Sequence, residues 1–324
     1  MTDLVTIKNL VKYFDIGPNQ RVHAVDDISL SIGEREIVGL VGESGSGKST
    51  LGKAVVGLHN KTSGSVSFRG EVLPQKYQPR DFQRHATHMQ MIFQDPYSSL
   101  NPRMTVGEII GEGIKLHKNL DNAAVRDKVA QWLVQVGLEA DHMSRYPHEF
   151  SGGQRQRIGI ARALIVEPEF VVCDEPISAL DVSVQAQVVN LLDELKNSMG
   201  LTLLFIAHDL SMVRYVSDRM AVMYLGSLVE VGAADELFFN PQHPYTKILI
   251  ASNPEPDPKH ERERVSTTIL GEIPSPVNVP AGCRFANRCP QAMDICRQVT
   301  PDLITMTNLT EGAAPRDVAC HLYS

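Results

Sequence analysis

The sequence predicts an α/β fold of the phosphate-loop type with a buried parallel sheet, followed by a small, irregular, cysteine-rich C-terminal module. Three observations predict it. An apolar strand, Glu36–Val41, runs straight into a glycine-rich turn that opens a helix. Two further short apolar runs, Phe170–Cys173 and Leu201–Ala207, flank a helical pattern at Val184–Leu195, as a βαβ unit requires. After Ser252 the composition changes to proline, charge and cysteine.

The elements follow in order. Residues 4–14 and 22–32 are β-type runs, separated by a polar loop with Gly17 and Pro18. Lys48–Leu58 reads as a helix with small and apolar residues on one face, and Met89–Phe93 as a strand. Residues 100–165 are mostly helical in pattern. Thr105–Leu116 and Ala123–Val136 space their apolar residues three and four apart, and Gly137 suits a C-cap. Met220–Val231 reads as two final strands turning at Gly226. Six prolines fall between 254 and 280, around the charged run 259–264, which predicts a linker or wrapping segment. The expected organisation is one domain over 1–252, with a helical subdomain at about 95–165, then linker and module over 253–324.

Composition bounds the function. Apolar residues make up 43% and charged residues 21%, enough for an ordinary globular core and too apolar for a disordered chain. With 31 basic and 38 acidic residues the net charge is −7, which argues against nucleic acid as the default partner. The N-terminal residues lack the apolar stretch of a secretory signal. No apolar run approaches the ~18 residues of a membrane span. Met220–Val231, the best candidate, is short and holds Gly226 and Glu230. A cytosolic chain that reaches a membrane only through a partner is expected.

Gly42-Glu43-Ser44-Gly45-Ser46-Gly47-Lys48-Ser49 fits G-x-x-x-x-G-K-[ST], with the required strand before it and helix after it. The glycines allow consecutive N–H groups to converge on an anion, and the helix N-terminus adds its positive end. Lys48 is expected on the β- and γ-phosphates and the Ser49 hydroxyl on Mg²⁺. The strand Phe170–Cys173 ends in Asp174 and Glu175. Asp174 is expected to hold Mg²⁺ and Glu175 to orient attacking water. The guanine-reading Asn/Thr-Lys-x-Asp motif of a GTPase is missing, since Asn60-Lys61 continues as Thr62-Ser63.

Phe150-Ser151-Gly152-Gly153-Gln154, taken with these motifs, resembles the signature of ATP-binding cassette (ABC) ATPases. A serine hydroxyl and two glycine N–H groups at a helix start make a second anion site. The resemblance implies an ABC nucleotide-binding domain: a RecA-like core, an antiparallel β subdomain and a helical subdomain. It implies that ATP is clasped between two cassettes, so that Ser151, Gly153 and Gln154 serve the partner's nucleotide. It further implies Gln94 as the glutamine that senses Mg²⁺ and contacts the membrane partner, and Asp181 as part of the loop crossing the dimer. His208 becomes the histidine that touches the γ-phosphate, Tyr13 the aromatic stacked on adenine, with the adjacent Phe14 as the alternative, and Gly42–Thr50 the phosphate loop. Ile92–Arg103, Arg145–Gly153, Leu237–Lys247 and Gly282–Pro290 are similar to the ATP-binding subunits of bacterial oligopeptide and dipeptide importers. Expected partners are therefore a second ABC ATPase subunit, favoured as a heterodimer, two permease subunits and an extracytoplasmic substrate-binding protein. Expected location is the cytoplasmic face of the membrane. The alternatives are a soluble ABC ATPase, an iron–sulfur redox-regulated ATPase, or an importer of nickel or another small solute.

Four of the five cysteines, Cys283, Cys289, Cys296 and Cys320, lie in the last 42 residues, whereas Cys173 sits alone in an apolar strand as a small hydrophobe. In a reducing compartment such a cluster reads as a metal or cluster site rather than as disulfides. The wide spacing leans toward a [4Fe–4S] cluster, and members of the resembled subfamily carry one on these cysteines. A Cys₃His Zn²⁺ site using His321 and a set of unligated thiols stay open.

Overall fold

The computed structural model describes residues 2–18, 20–118, 120–178, 180–252, 274–277, 279, 281–306 and 315–324. The chain opens with a long antiparallel hairpin, β1 (Asp3–Gly17) and β2 (Gln20–Gly33). β3 (Ile37–Val41) leads through the glycine-rich loop into α1 (Lys48–Val55). β4 (Ser63–Phe68) and β5 (Glu71–Val72) complete an antiparallel sheet in the order β2-β1-β4-β5. α2 (Pro79–His85) precedes β6 (Met89–Ile92), and the helical side follows as α3 (Pro96–Ser99), α4 (Val106–His117), α5 (Asn122–Gln135) and α6 (Gly152–Leu164). The core resumes with β7 (Phe170–Asp174), α7 (Val182–Met199), β8 (Thr202–Ile206), α8 (Leu210–Val216), β9 (Arg219–Tyr224) and β10 (Ser227–Ala233). α9 (Ala234–Phe239), α10 (Pro244–Ala251), β11 (Ile304–Met306) and β12 (Arg316–Val318) finish the chain.

The main sheet runs β11-β12-β10-β9-β3-β8-β7-β6. β3, β7 and β8 are buried on both faces, which is why their sequences are continuous apolar runs. Alternation along these strands feeds two cores. Ile37, Val41, Val171 and Cys173 pack toward the helices, while Val38, Leu40, Phe170 and Val172 pack toward α1 and the antiparallel sheet. Burial pushes the Cys173 thiol far above its ordinary value, so it is an inert core group, as expected. α4 starts where it does because Thr105 and Glu108 cap each other reciprocally.

The residues after 273 depart from the expected separate module. β12 pairs antiparallel with β10, Glu230 opposite Val318, and so extends the main sheet. Phe285 is fully buried against Tyr224, Tyr245 and His243. The physical reason is that the segment is too poor in apolar residues for a core of its own and borrows the core beside β9 and α10. Most of the expected proline-rich linker, 253–273, lies outside the described residues.

Candidate active site

The phosphate loop is built by backbone geometry. Gly42 has φ 152° and Gly47 φ 104°, and a Cβ at either would collide with a carbonyl oxygen, of Met223 and Ala24 respectively. The buried Lys48 ammonium donates to the carbonyls of Gly42 at 2.8 Å and Glu43 at 3.0 Å, folding the side chain across the loop. Burial lowers its pKa, against the pull of Glu175, Asp174 and Glu43 nearby. The Ser46 hydroxyl is buried without a hydrogen-bond partner among the described residues, and the Ser49 hydroxyl donates to Asp174 at 2.7 Å. An orphaned hydroxyl in the loop and a hydroxyl–carboxylate pair at the strand end suit a polyphosphate with its Mg²⁺.

Glu175 follows directly. Its buried carboxylate accepts from Gln94 Nε2 at 2.6 Å on one oxygen and contacts His208 Nε2 with the other. Gln94 follows β6, Glu175 follows β7 and His208 follows β8, so three adjacent parallel strands deliver the triad to one edge. These residues and Ser44, Gly45, Gly47, Lys48, Ser49 and Thr50 line one pocket of ≈ 340 Å³. Its remaining walls are Phe14, Val22, Ala24 and Pro276.

Two expectations change. Tyr13 does not line the pocket; Phe14 does. Successive side chains on a strand face opposite ways, and Tyr13 turns to donate its hydroxyl to Asp26 at 2.5 Å while its ring packs on His23. The Glu43 side chain also leaves the pocket, taken by two hydrogen bonds from Arg288. The sequence offered Phe14 only as the neighbour of Tyr13, although alternation could have singled it out. Sequence reasoning missed Pro276, for which no local signal exists. The Pro276 carbonyl accepts from the His23 N–H at 3.0 Å, and Val277 bridges to Val22.

The cysteines come together from across the C-terminal segment. Burial first, and then the other three tail thiols opposing a second negative charge nearby, together raise the Cys283 thiol to about 11. The Cys283 N–H also donates to the Cys296 carbonyl at 2.7 Å.

Comparison with known proteins agrees. A family model described as ABC transporter matches residues 25–178, and one described as oligopeptide/dipeptide transporter, C-terminal region, matches residues 229–296. A putative oligopeptide transport ATP-binding protein of Bacillus subtilis is 53% identical, over 99% of this chain and 95% of its own. The oligopeptide transport ATP-binding protein of Salmonella typhimurium is 49% identical, over 98% and 95%. This chain belongs to the oligopeptide-transporter family of ABC ATPases.

The ABC ATPase is thus an ATP-hydrolysing enzyme of a transport family. Its fold matches a dimeric ATP-binding cassette solved after hydrolysis with ADP and Pi, at TM-score 0.66 and 26% identity, covering 71% of this chain and 98% of that one. A cassette of a Clostridium perfringens ABC transporter complex matches at TM-score 0.65 and 26% identity, over 74% and 91%. In this ABC ATPase the signature stands apart from the pocket. Ser151 caps α6, accepting from the Gln154 N–H at 3.3 Å while its own N–H donates to Gln154 Oε1 at 3.0 Å. Ser151 and Asp181 are exposed, and neither they nor Gly153 and Gln154 line the pocket. Among the described residues no helix is long and apolar enough to cross a membrane.

Proposed function

We propose that this chain energises oligopeptide import, hydrolysing ATP in its pocket to drive two permease subunits fed by an extracytoplasmic binding protein. One observation carries the hydrolytic half: Glu175 is held between Gln94 and His208 at the pocket that Lys48 and the Ser49–Asp174 pair complete. The loop N–H groups and Lys48 bind the β- and γ-phosphates, and Phe14 supports the base. Glu175 orients the attacking water and takes its proton, while His208 steadies Glu175 and reads the γ-phosphate. Mg²⁺, held by Ser49, Asp174 and Gln94, neutralises phosphate charge when bound. Ser151, Gly153, Gln154 and Asp181, of which Ser151 and Asp181 are exposed, serve the nucleotide of a second cassette, which we take to be a different ATPase subunit. The chain then sits at the cytoplasmic membrane face by way of its permease.

The peptide class is supported by the names of the relatives, which transport oligopeptides. The four tail thiols would hold a [4Fe–4S] cluster, which supplies a cross-link for the segment when bound. Thiolates around one zinc stand about 4 Å apart, whereas among the described residues no three of these sulfurs lie within 4.8 Å of one another.

The test is reconstitution with permease and binding protein. Peptide-loaded binding protein should raise ATPase severalfold; stimulation only by a different solute would overturn the peptide reading. Glu175→Gln should bind ATP and lose turnover by about a hundredfold or more. Near-normal hydrolysis would reassign the base. Anaerobically purified protein should absorb near 400 nm and carry about four irons; stoichiometric zinc without iron would replace the cluster.

A further inference from the structure

Arg288 immediately precedes Cys289 in sequence, yet its side chain is buried against the phosphate loop. Nη1 donates to Glu43 Oε2 at 2.8 Å and Nη2 to Glu43 Oε1 at 2.9 Å, a two-pronged pair. Nη1 also reaches the Tyr224 hydroxyl at 3.2 Å, and the guanidinium lies over the Tyr224 and Phe285 rings. Glu43 is the second residue of the loop, and its backbone is shared with the phosphate machinery. Its carbonyl accepts from Lys48 Nζ at 3.0 Å and from the Ser46 N–H at 3.2 Å, and its N–H donates to the Tyr245 hydroxyl at 2.8 Å. Arg284 works on the neighbouring wall. It donates to Asp26 on β2 and to the Leu225 carbonyl, while the next N–H, of Gly226, donates to the Ser46 carbonyl at 2.9 Å.

We propose that Arg288 is a positioning residue for nucleotide binding: its fork on Glu43 fixes the outer half of the phosphate loop from the C-terminal segment. The proposal rests on the reading of that loop as an ATP site. A two-pronged pair sets the orientation of the carboxylate plane, which a single point charge does not. With Glu43 fixed, its carbonyl stays where Lys48 and Ser46 meet it, so the anion-binding groups are arranged before nucleotide arrives. Glu175, Gln94 and His208 hang from other strands and are untouched by this contact. The effect therefore belongs to binding rather than to the hydrolytic step.

The full-length chain tests this by titration with MgATP and MgADP and by steady-state hydrolysis. Arg288→Lys keeps charge and stem but loses the fork; Glu43→Gln keeps shape but loses charge. Each should raise the Kd of both nucleotides about tenfold and raise KM in step. Each should leave kcat at saturating ATP within about twofold. The double variant should bind no more weakly than the weaker single, because both remove one contact. Unchanged Kd in either folded single variant, additive losses in the double, or a fall in kcat at unchanged KM would overturn the proposal. Thermal melts identify a variant that fails to fold, in which case the other single decides. A wild-type chain that binds neither nucleotide would instead refute the ATP reading itself.

Discussion

Glu175 holds a backbone conformation with φ 46°, a left-handed state that a residue with a side chain takes at a cost of about 1–3 kcal/mol. The surrounding structure enforces it: the Glu175 N–H donates to the Ile206 carbonyl at 2.9 Å, and Gln94 and His208 hold the carboxylate. Strain of this kind concentrates where a group must be aimed. Lys48→Ala should weaken ATP binding by about a hundredfold, since a buried charge-assisted contact to phosphate is lost; nucleotide titration checks it. At the base, Phe14→Ala should weaken ATP binding about tenfold, in keeping with stacking energies of about 1–3 kcal/mol. Tyr13→Phe should leave affinity alone and lower stability by about 1 kcal/mol, by removing the bond to Asp26. Equal effects of the two on affinity would return Tyr13 to the base site.

At the scale of elements, the phosphate loop, its flanking strand and helix, and the βαβ unit β7-α7-β8 were all legible in sequence. Their signals are local: glycine spacing, continuous apolar runs and helical periodicity. Five helices, α2, α3, α8, α9 and α10, were not legible, being short and largely determined by what they pack against. α10 shows the dependence. His243 caps it, its Nδ1 accepting from the Tyr245 N–H at 3.0 Å, and is buried beside Phe285. Burial pushes its pKa down to about 3. A folded pKa below the unfolded value of about 6.5 means the unfolded chain takes up the proton first. Stability from neutral His243 is therefore complete above about pH 6.5 and falls by about 1.4 kcal/mol per unit below it, down to the folded value. Denaturant titrations should show this slope, and His243→Asn, which can still cap, should flatten it.

For the whole molecule, the C-terminal segment is bound into the ATPase at three levels: strand pairing, a buried aromatic and buried arginines. Arg316 on β12 is 2% exposed and donates to the Asn240 carbonyl at 2.5 Å and to Glu236 at 3.1 Å; it also lies 3.5 Å from Glu230, which is fully buried. Arg316→Met should cost about 3–5 kcal/mol, because it leaves the buried Glu230 without its counter-ion, held by the Gln242 and His243 N–H groups. Glu230→Gln in that background should recover part of the loss. Chemical denaturation of the three proteins decides it, and an unaffected Arg316→Met would show that the tail is held by pairing and aromatics alone.

The sequence by itself determined the fold class, the phosphate loop with Lys48 and Ser49, the carboxylates Asp174 and Glu175, and the family. It could do so because each rests on residues close in the chain, with fixed spacing and local backbone demands. Only the tertiary structure decided that Phe14 rather than Tyr13 faces the pocket, that Pro276 closes it, and that Arg288 reaches back to Glu43. These depend on strand registration and on contacts between segments more than 240 residues apart, from Glu43 to Arg288. A local pattern carries no record of such pairings, because burial and charge complementarity select them only once the chain has closed on itself.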